Sequence, residues 1–217
     1  MKSKRILFFS YLIAIHVLLV IFAAKSIWGQ RLRGVPDRHI TAMAHQHNRM
    51  DPQVTDGFSV FLGDSITAGL VSSLVDPYSV NYGVNTLTTS RLIHNMKSYE
   101  SLKRAKRVFL LIGINDISIK QHDGLNERLS SIMNSVPEGT PLVWSLISPT
   151  TDNDKNTKIS MANEHIRKLC VSRPGCRVVD TWEVLGGLGN EAFTDGLHLS
   201  TRGYEAWSRA LKKAADL

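Results

Sequence analysis

Apolar positions follow two regimes along this chain. Ile6 to Ala24 is a mainly apolar, uncharged stretch, softened only by Ser10 and His16 and preceded by Lys2, Lys4 and Arg5. From residue 54 onward, short apolar runs of strand length alternate with segments whose apolar residues recur at helical spacing. Strands are predicted at Phe58–Leu62, Tyr78–Asn81, Arg107–Ile112, Pro141–Ile147 and Arg177–Asp180. Helices are predicted at Ser65–Leu74, at Thr88–Ser98 with Leu92, Ile93 and Met96 on one face, and at Leu125–Val136. Two more are predicted at Lys158–Leu169, with Ile159, Ala162, Ile166 and Leu169 in register, and at Thr201–Ala215. Five strands interleaved with helices, the clearest of them almost wholly apolar, predict an α/β domain with a parallel sheet covered on both faces.

Between the regimes lies a polar stretch, 25–53, with Gly34, Pro36, Pro52 and few large apolar residues. The expected organisation is therefore a cytoplasmic tip and transmembrane signal-anchor over 1–24, a linker over 25–53 and a single domain over 54–217. The nineteen residues of the apolar stretch span about 28 Å as a helix, close to a bilayer core. That exceeds the roughly 7–15 residues of a cleavable signal core. Ala24-Lys25-Ser26 nevertheless has the small-x-small form of a cleavage site, so secretion after cleavage is the alternative to an anchor. Lys25, Arg31, Arg33 and Arg38 nearly balance the positive-inside bias, and the short basic N-terminal tail favours export of the C-terminal domain.

Charge sharpens this division. Of the net +7, residues 1–53 hold +6 and residues 54–217 only +1. The basic excess belongs to the leader, and no basic patch interleaved with aromatics points to nucleic acid. The two cysteines, Cys170 and Cys176, either close a small loop worth roughly 2 kcal/mol in an exported domain or are unrelated thiols. They lack the companion ligands of a zinc site. His39, His45 and His47 include a His-x-His pair, but a solvated linker is the simpler reading.

The chemistry sits where strands end. Gly63-Asp64-Ser65 follows the first strand, and Asp195-Gly196-Leu197-His198 lies near the end of the domain. A serine hydroxyl needs a neutral imidazole as base, held in one tautomer by a third group. The three-residue offset lets one turn bring Asp195 to His198. Asn81-Tyr82-Gly83 and Gly113-Ile114-Asn115-Asp116 end the next two strands. With the Ser65 N–H, the Gly83 N–H and the Asn115 amide would make a three-donor oxyanion hole, at the edge where open parallel sheets bind ligands. Asp64 suits turn hydrogen bonds, and Asp116 suits capping or loop bonding. Trp144 reads as core. Trp182 and Phe193 either wall an acyl pocket or anchor the loop before Asp195.

These four blocks, in this order, resemble the SGNH hydrolases, or GDSL esterase/lipase family, over about residues 54–215. One departure is visible: after Gly83 the family often continues through another small residue or glycine, where this chain has Val84-Asn85-Thr86-Leu87. The resemblance implies a flavodoxin-like three-layer α/β/α sandwich with a five-stranded parallel sheet, here preceded by one N-terminal transmembrane helix. It implies a serine esterase with Ser65, Asp195 and His198 as triad and Ser65, Gly83 and Asn115 as oxyanion hole. The chemistry calls for neither metal nor organic cofactor. A small domain without an obvious lid insertion suits short acyl groups, such as O-acetyl on glycans. A glycan acyltransferase, a lysophospholipase or a thioesterase are the alternatives, and a non-catalytic glycan-binding module is a further rival. The expected location is the membrane, with the domain periplasmic or extracellular. Nothing in the sequence indicates an oligomeric state.

Overall fold

The computed structural model describes residues 15–17, 19, 38–119 and 122–217. The apolar stretch assigned to a membrane span lies almost entirely outside them. Among the described residues no helix is long and apolar enough to cross a membrane. The chain divides into two compact units, Met1–Ala42 and Met43–Leu217. The sheet and every residue of the candidate chemistry belong to the second.

Five strands, β1 (Ser59–Gly63), β2 (Ser79–Asn81), β3 (Arg107–Leu111), β4 (Leu142–Ser145) and β5 (Cys176–Val179), form one sheet in the order β2-β1-β3-β4-β5. All pairings are parallel, with Phe61 opposite Phe109 and Leu110 opposite Trp144. Every residue of β1 and β4 is buried, as a sheet covered on both faces requires. Residues 38–50 are helical and are termed α1. Further helices of the second unit are α2 (Ser65–Ala68), α3 (Thr89–Met96), α4 (Ile114–Ser118), α5 (Leu125–Ser135), α6 (Asn153–Ser172), α7 (Thr181–Gly186) and α8 (Thr201–Ala215).

Side-chain alternation along the strands divides the core. Phe61, Phe109, Leu111, Val143 and Val179 pack with Ile66 of α2, Leu185 of α7, and Trp207 and Leu211 of α8. The Phe61 and Phe109 rings stack 4.3 Å apart. The alternate positions, Val60, Leu62, Val108, Leu110, Leu142 and Trp144, face the other way. The buried stripes of α3, α5 and α6 (Leu92, Leu129, Ile132, Ile159, Ile166) complete the second layer.

Several boundaries differ from expectation for local reasons. The helix after Ser65 ends at Ala68, not Leu74. Gly69 is its C-cap, where a Cβ would lie 2.2 Å from the Tyr204 Oη, so α8 packs directly against the helix end. Helix α6 begins at Asn153 rather than Lys158 because Asp152 caps it, accepting from the N–H groups of Asp154 and Lys155. Helices α4 and α7 are too short to show periodicity, and the apolar pattern does not predict them. Cys170 and Cys176 form a disulfide joining the last turn of α6 to β5.

The largest correction concerns the linker. Residues from Met43 onward belong to the same unit as the sheet, so the domain does not begin at 54. His47 and Asp51 are buried. Asp51 accepts hydrogen bonds from the Tyr82 hydroxyl (2.9 Å), the Ser101 N–H (3.2 Å) and the Ser101 hydroxyl. His47 Nδ1 meets the Tyr99 hydroxyl at 3.2 Å, and Tyr82 stacks on Tyr99 at 4.4 Å. Burial pulls the His47 pKa down to about 4, so it is neutral at neutral pH and serves as a hydrogen-bonding member of the core. A chain starting at residue 54 would leave the Ser101 N–H and hydroxyl and the Tyr82 hydroxyl without their acceptor, each at roughly 1–3 kcal/mol. Urea unfolding of 43–217 beside 54–217 is therefore expected to show the shorter chain weaker by at least about 3 kcal/mol. Equal midpoints would mean the cluster is solvated in solution.

Candidate active site

Strand β1 ends at Gly63, and Ser65 opens α2 two residues later. The turn admits only glycine at 63, where a Cβ would sit 2.2 Å from the Leu111 carbonyl oxygen and 2.1 Å from Thr67 Oγ1. Asp64 caps α2, its Oδ1 accepting from the Ile66 N–H at 3.0 Å. This places Ser65 at the C-terminal edge of the sheet, beside β3.

The Asp195–His198 loop approaches from the far end of the sequence. Its ends are closed by an antiparallel bridge between Phe193 and Leu199. Ser65 Oγ lies 3.0 Å from His198 Nε2, and His198 Nδ1 lies 2.7 Å from Asp195 Oδ2. Asp195 Oδ1 also accepts from the N–H groups of Leu197 (3.1 Å) and His198 (2.8 Å). The imidazole bond first, then these backbone donors, hold the Asp195 carboxyl down at about 2. The orienting group is thus ionised at neutral pH, and the geometry puts His198 on a carboxylate rather than on a backbone carbonyl. The site is open: the side chains of His198 and Asp195 are 42% and 56% exposed.

Asn115 lies in the first turn of α4, just past β3. Its Nδ2 donates to the Leu87 carbonyl at 3.0 Å, which leaves the other amide proton for a ligand. Gly83 does not take the place expected of it. Its N–H donates to Asn81 Oδ1 at 2.8 Å, and a Cβ there would lie 2.3 Å from the Ala68 nitrogen. Gly83 is a close-packing glycine under α2 whose donor is already engaged. The next turn, Val84–Leu87, is closed by the Leu87 N–H on the Val84 carbonyl at 3.2 Å. Thr86 holds φ +62° there, a conformation that β-branched residues rarely adopt. This is the segment where the chain departs from the family pattern.

Trp182 and Phe193 each have an anchoring contact. The Trp182 indole N–H donates to the Ile147 carbonyl at 3.0 Å, and Phe193 packs against the α7–α8 side of the core. His165 bonds Ser130 Oγ at 3.0 Å, away from Ser65. Among the described residues no group of three or more His, Cys, Asp or Glu side chains is arranged to hold a metal ion.

Asp64 carries a cost. Its Oδ2 is buried without a partner among the described residues, and burial pushes the carboxyl up to about 7, against the opposing pull of the Ile66 N–H and nearby His198. Between about pH 4 and 7 the unfolded chain gives up this proton while the folded chain keeps it. Stability therefore falls across that window, by up to about 4 kcal/mol, and does not recover above it. Asp64→Asn keeps the Oδ1 acceptor for Ile66 and removes the titration. It is expected to stabilise the protein at pH 8 and to change little at pH 4 in denaturant unfolding. A gain equal at both pH values would contradict this.

A strand-end serine, hydrogen-bonded to a histidine that a carboxylate orients, on a parallel α/β sheet, defines a serine hydrolase. The model of the GDSL-like lipase/acylhydrolase family matches residues 61–206, and the chain belongs to that family. It is an enzyme of the SGNH/GDSL acylhydrolase class. No curated protein matches the chain at a significant level. A solved structure from Streptococcus pneumonia, provisionally described as a platelet activating factor, is 25% identical with a TM-score of 0.77, covering 87% of this chain and 98% of that one. The catalytic domain of peptidoglycan O-acetyltransferase A from Streptococcus pneumoniae, solved with a methylsulfonyl adduct, is 19% identical with a TM-score of 0.61, covering 75% and 94%. An acetylxylan esterase from Geobacillus stearothermophilus, solved as a catalytic mutant, is 15% identical with a TM-score of 0.61, covering 74% and 95%. These last two likenesses show the fold.

Proposed function

We propose that the protein is a membrane-tethered serine esterase that removes short acyl groups, O-acetyl above all, from glycans outside the cytoplasm. The observation that carries this reading is the continuous Ser65–His198–Asp195 relay standing open to solvent. An open site accepts a small acyl group on a bulky carrier, whereas a long acyl chain calls for an enclosed apolar channel.

In the mechanism, His198 Nε2 takes the Ser65 proton as Oγ attacks the acyl carbonyl carbon. The imidazolium is stabilised by Asp195. The negative charge that develops on the carbonyl oxygen is met by the Ser65 N–H and by the Asn115 amide proton not used by Leu87. His198 then protonates the leaving alkoxide, and the same base activates the water that releases the acid from Ser65. The N-terminal stretch is proposed to remain as an anchor. The Cys170–Cys176 disulfide supports an oxidising compartment for the domain.

A chain-length series of p-nitrophenyl esters, run beside O-acetylated glycans with and without a deacetylated acceptor, tests the reading. The fastest turnover is expected for acetyl, with free acetate as product. A preference for long chains would move the protein to lipid substrates. Acetyl recovered on the acceptor would make it a transferase, the second reading, which the likeness to the O-acetyltransferase domain favours. A reporter fused after Leu217 is expected to be active only outside the cytoplasm.

A further inference from the structure

Beside the triad, a buried carboxylate in α4 joins the start of α3 to the first turn of α5. Asp116, next to Asn115 in α4, is 1% exposed. Its Oδ2 accepts from the Thr89 N–H at 2.9 Å, and its Oδ1 accepts from the Thr89 hydroxyl at 2.6 Å. Arg128 of α5 completes the group. Its Nη2 lies 3.3 Å from Asp116 Oδ1, its Nε donates to Thr89 Oγ1 at 2.7 Å, and its Nη1 donates to the Asp123 carbonyl at 2.8 Å.

Thr89 is the first residue of α3 and comes directly after the Val84–Leu87 turn and Thr88. The carboxylate thus fixes the end of that turn to the start of α4. Asn115 is tied to the same turn from the other side, through the Leu87 carbonyl. The turn holds Thr86 in a left-handed conformation, and such a conformation persists only where the surroundings over-determine it. A carboxylate held by three donors, one of them a charged arginine, is a strong means of doing so.

We infer that Asp116, with Thr89 and Arg128, is a positioning group for the proposed oxyanion hole: it sets the gap between the Asn115 amide and the Val84–Leu87 turn. This rests on the role given above to Asn115. Asp116 touches no reacting atom; it acts through Asn115 and the turn. A displacement of about 1 Å at such a donor is worth up to roughly a hundredfold in rate.

The test uses the full chain with p-nitrophenyl acetate. Labelling of Ser65 by a fluorophosphonate reads the same charge development without an acyl substrate. Asp116→Asn and the near-isosteric Thr89→Val are both made, so that a fold defect in one leaves the other. Each is expected to lower kcat by roughly tenfold to a hundredfold, with KM nearly unchanged, labelling slowed in proportion, and Thr89→Ser recovering most of what Thr89→Val loses. In an Asn115→Ala background the same substitutions are expected to add little, because the donor they position is gone. Folded variants with wild-type kcat, or losses as large in the Asn115→Ala background as in the wild type, would overturn the clamp while leaving the triad reading intact. A silent Asn115→Ala with a slow Asp116→Asn would remove Asn115 from the hole and overturn the clamp as a device acting on that donor. A wild-type chain that neither hydrolyses the ester nor is labelled at Ser65 would overturn both.

Discussion

Ser65→Ala is expected to leave a folded protein with no measurable ester turnover, a loss on the order of 10⁶ in kcat. Every covalent step passes through Ser65 Oγ, 3.0 Å from its base, and among the described residues no other hydroxyl is hydrogen-bonded to the His198 ring to replace it. The cost to stability should be slight. Ser65 opens α2, but the helix is capped by Asp64 rather than by the serine itself. The measurement is initial rate together with thermal unfolding on the same preparation. Retained turnover would show that another residue is the nucleophile, and lost structure would make the rate uninformative.

Asn115→Ala is expected to lower kcat by about 10²- to 10³-fold with a much smaller change in KM. The ester carbonyl carries a partial charge in the ground state and nearly a full one in the tetrahedral intermediate, so a fixed amide donor favours the second over the first. The loss should fall short of that for Ser65→Ala, because the Ser65 N–H and the triad remain. Asn115→Asp should be at least as harmful, since a carboxylate cannot donate and repels the oxyanion. The bond from Asn115 to the Leu87 carbonyl adds a readable difference: both variants also loosen the Val84–Leu87 turn, which local hydrogen exchange would register. Near-normal kcat in a folded Asn115→Ala would take the residue out of the hole.

The triad is legible in the sequence because its members lie at strand ends and within one short loop, where spacing and chemistry coincide. The five strands are legible for a similar reason: a strand buried on both faces is written as an apolar run. The parts that are not legible are held by polar contacts. His47 and Asp51 read as a solvated linker, yet they are buried by hydrogen bonds to Tyr99, Tyr82 and Ser101. A charged or titratable residue carries no sign in one dimension of the partners that will satisfy it. Gly83 is recognisable as a required glycine, but whether its N–H stays free depends on Asn81 Oδ1, a side-chain rotamer that spacing does not encode. Helices α4 and α7 leave no mark because one or two turns show no period. Asp116 reads as a capping or loop-bonding residue, and it bonds the first residue of α3 and Arg128 of α5; sequence does not show that these elements pack beside Asn115.

The base and its orienter sit in a loop closed on itself by the Phe193–Leu199 bridge, and the Thr194 N–H also reaches the His198 carbonyl at 2.8 Å. That loop meets the nucleophile's side of the molecule through the first turns of α8, where the Tyr204 hydroxyl donates to the Ile66 carbonyl at 3.0 Å. Half of the proton relay therefore rides on a loop closed on itself, tied to the helix that bears the serine through Tyr204 and to the loop after β4 through the Thr151 N–H, which donates to the Gly196 carbonyl at 3.1 Å. Changes in the loops after β2 and β3 can reshape what the enzyme accepts without retuning its base, whereas changes at Thr151, after β4, reach the loop that holds it. Grafting residues 193–204 from a relative should transplant proton-transfer behaviour separately from substrate choice.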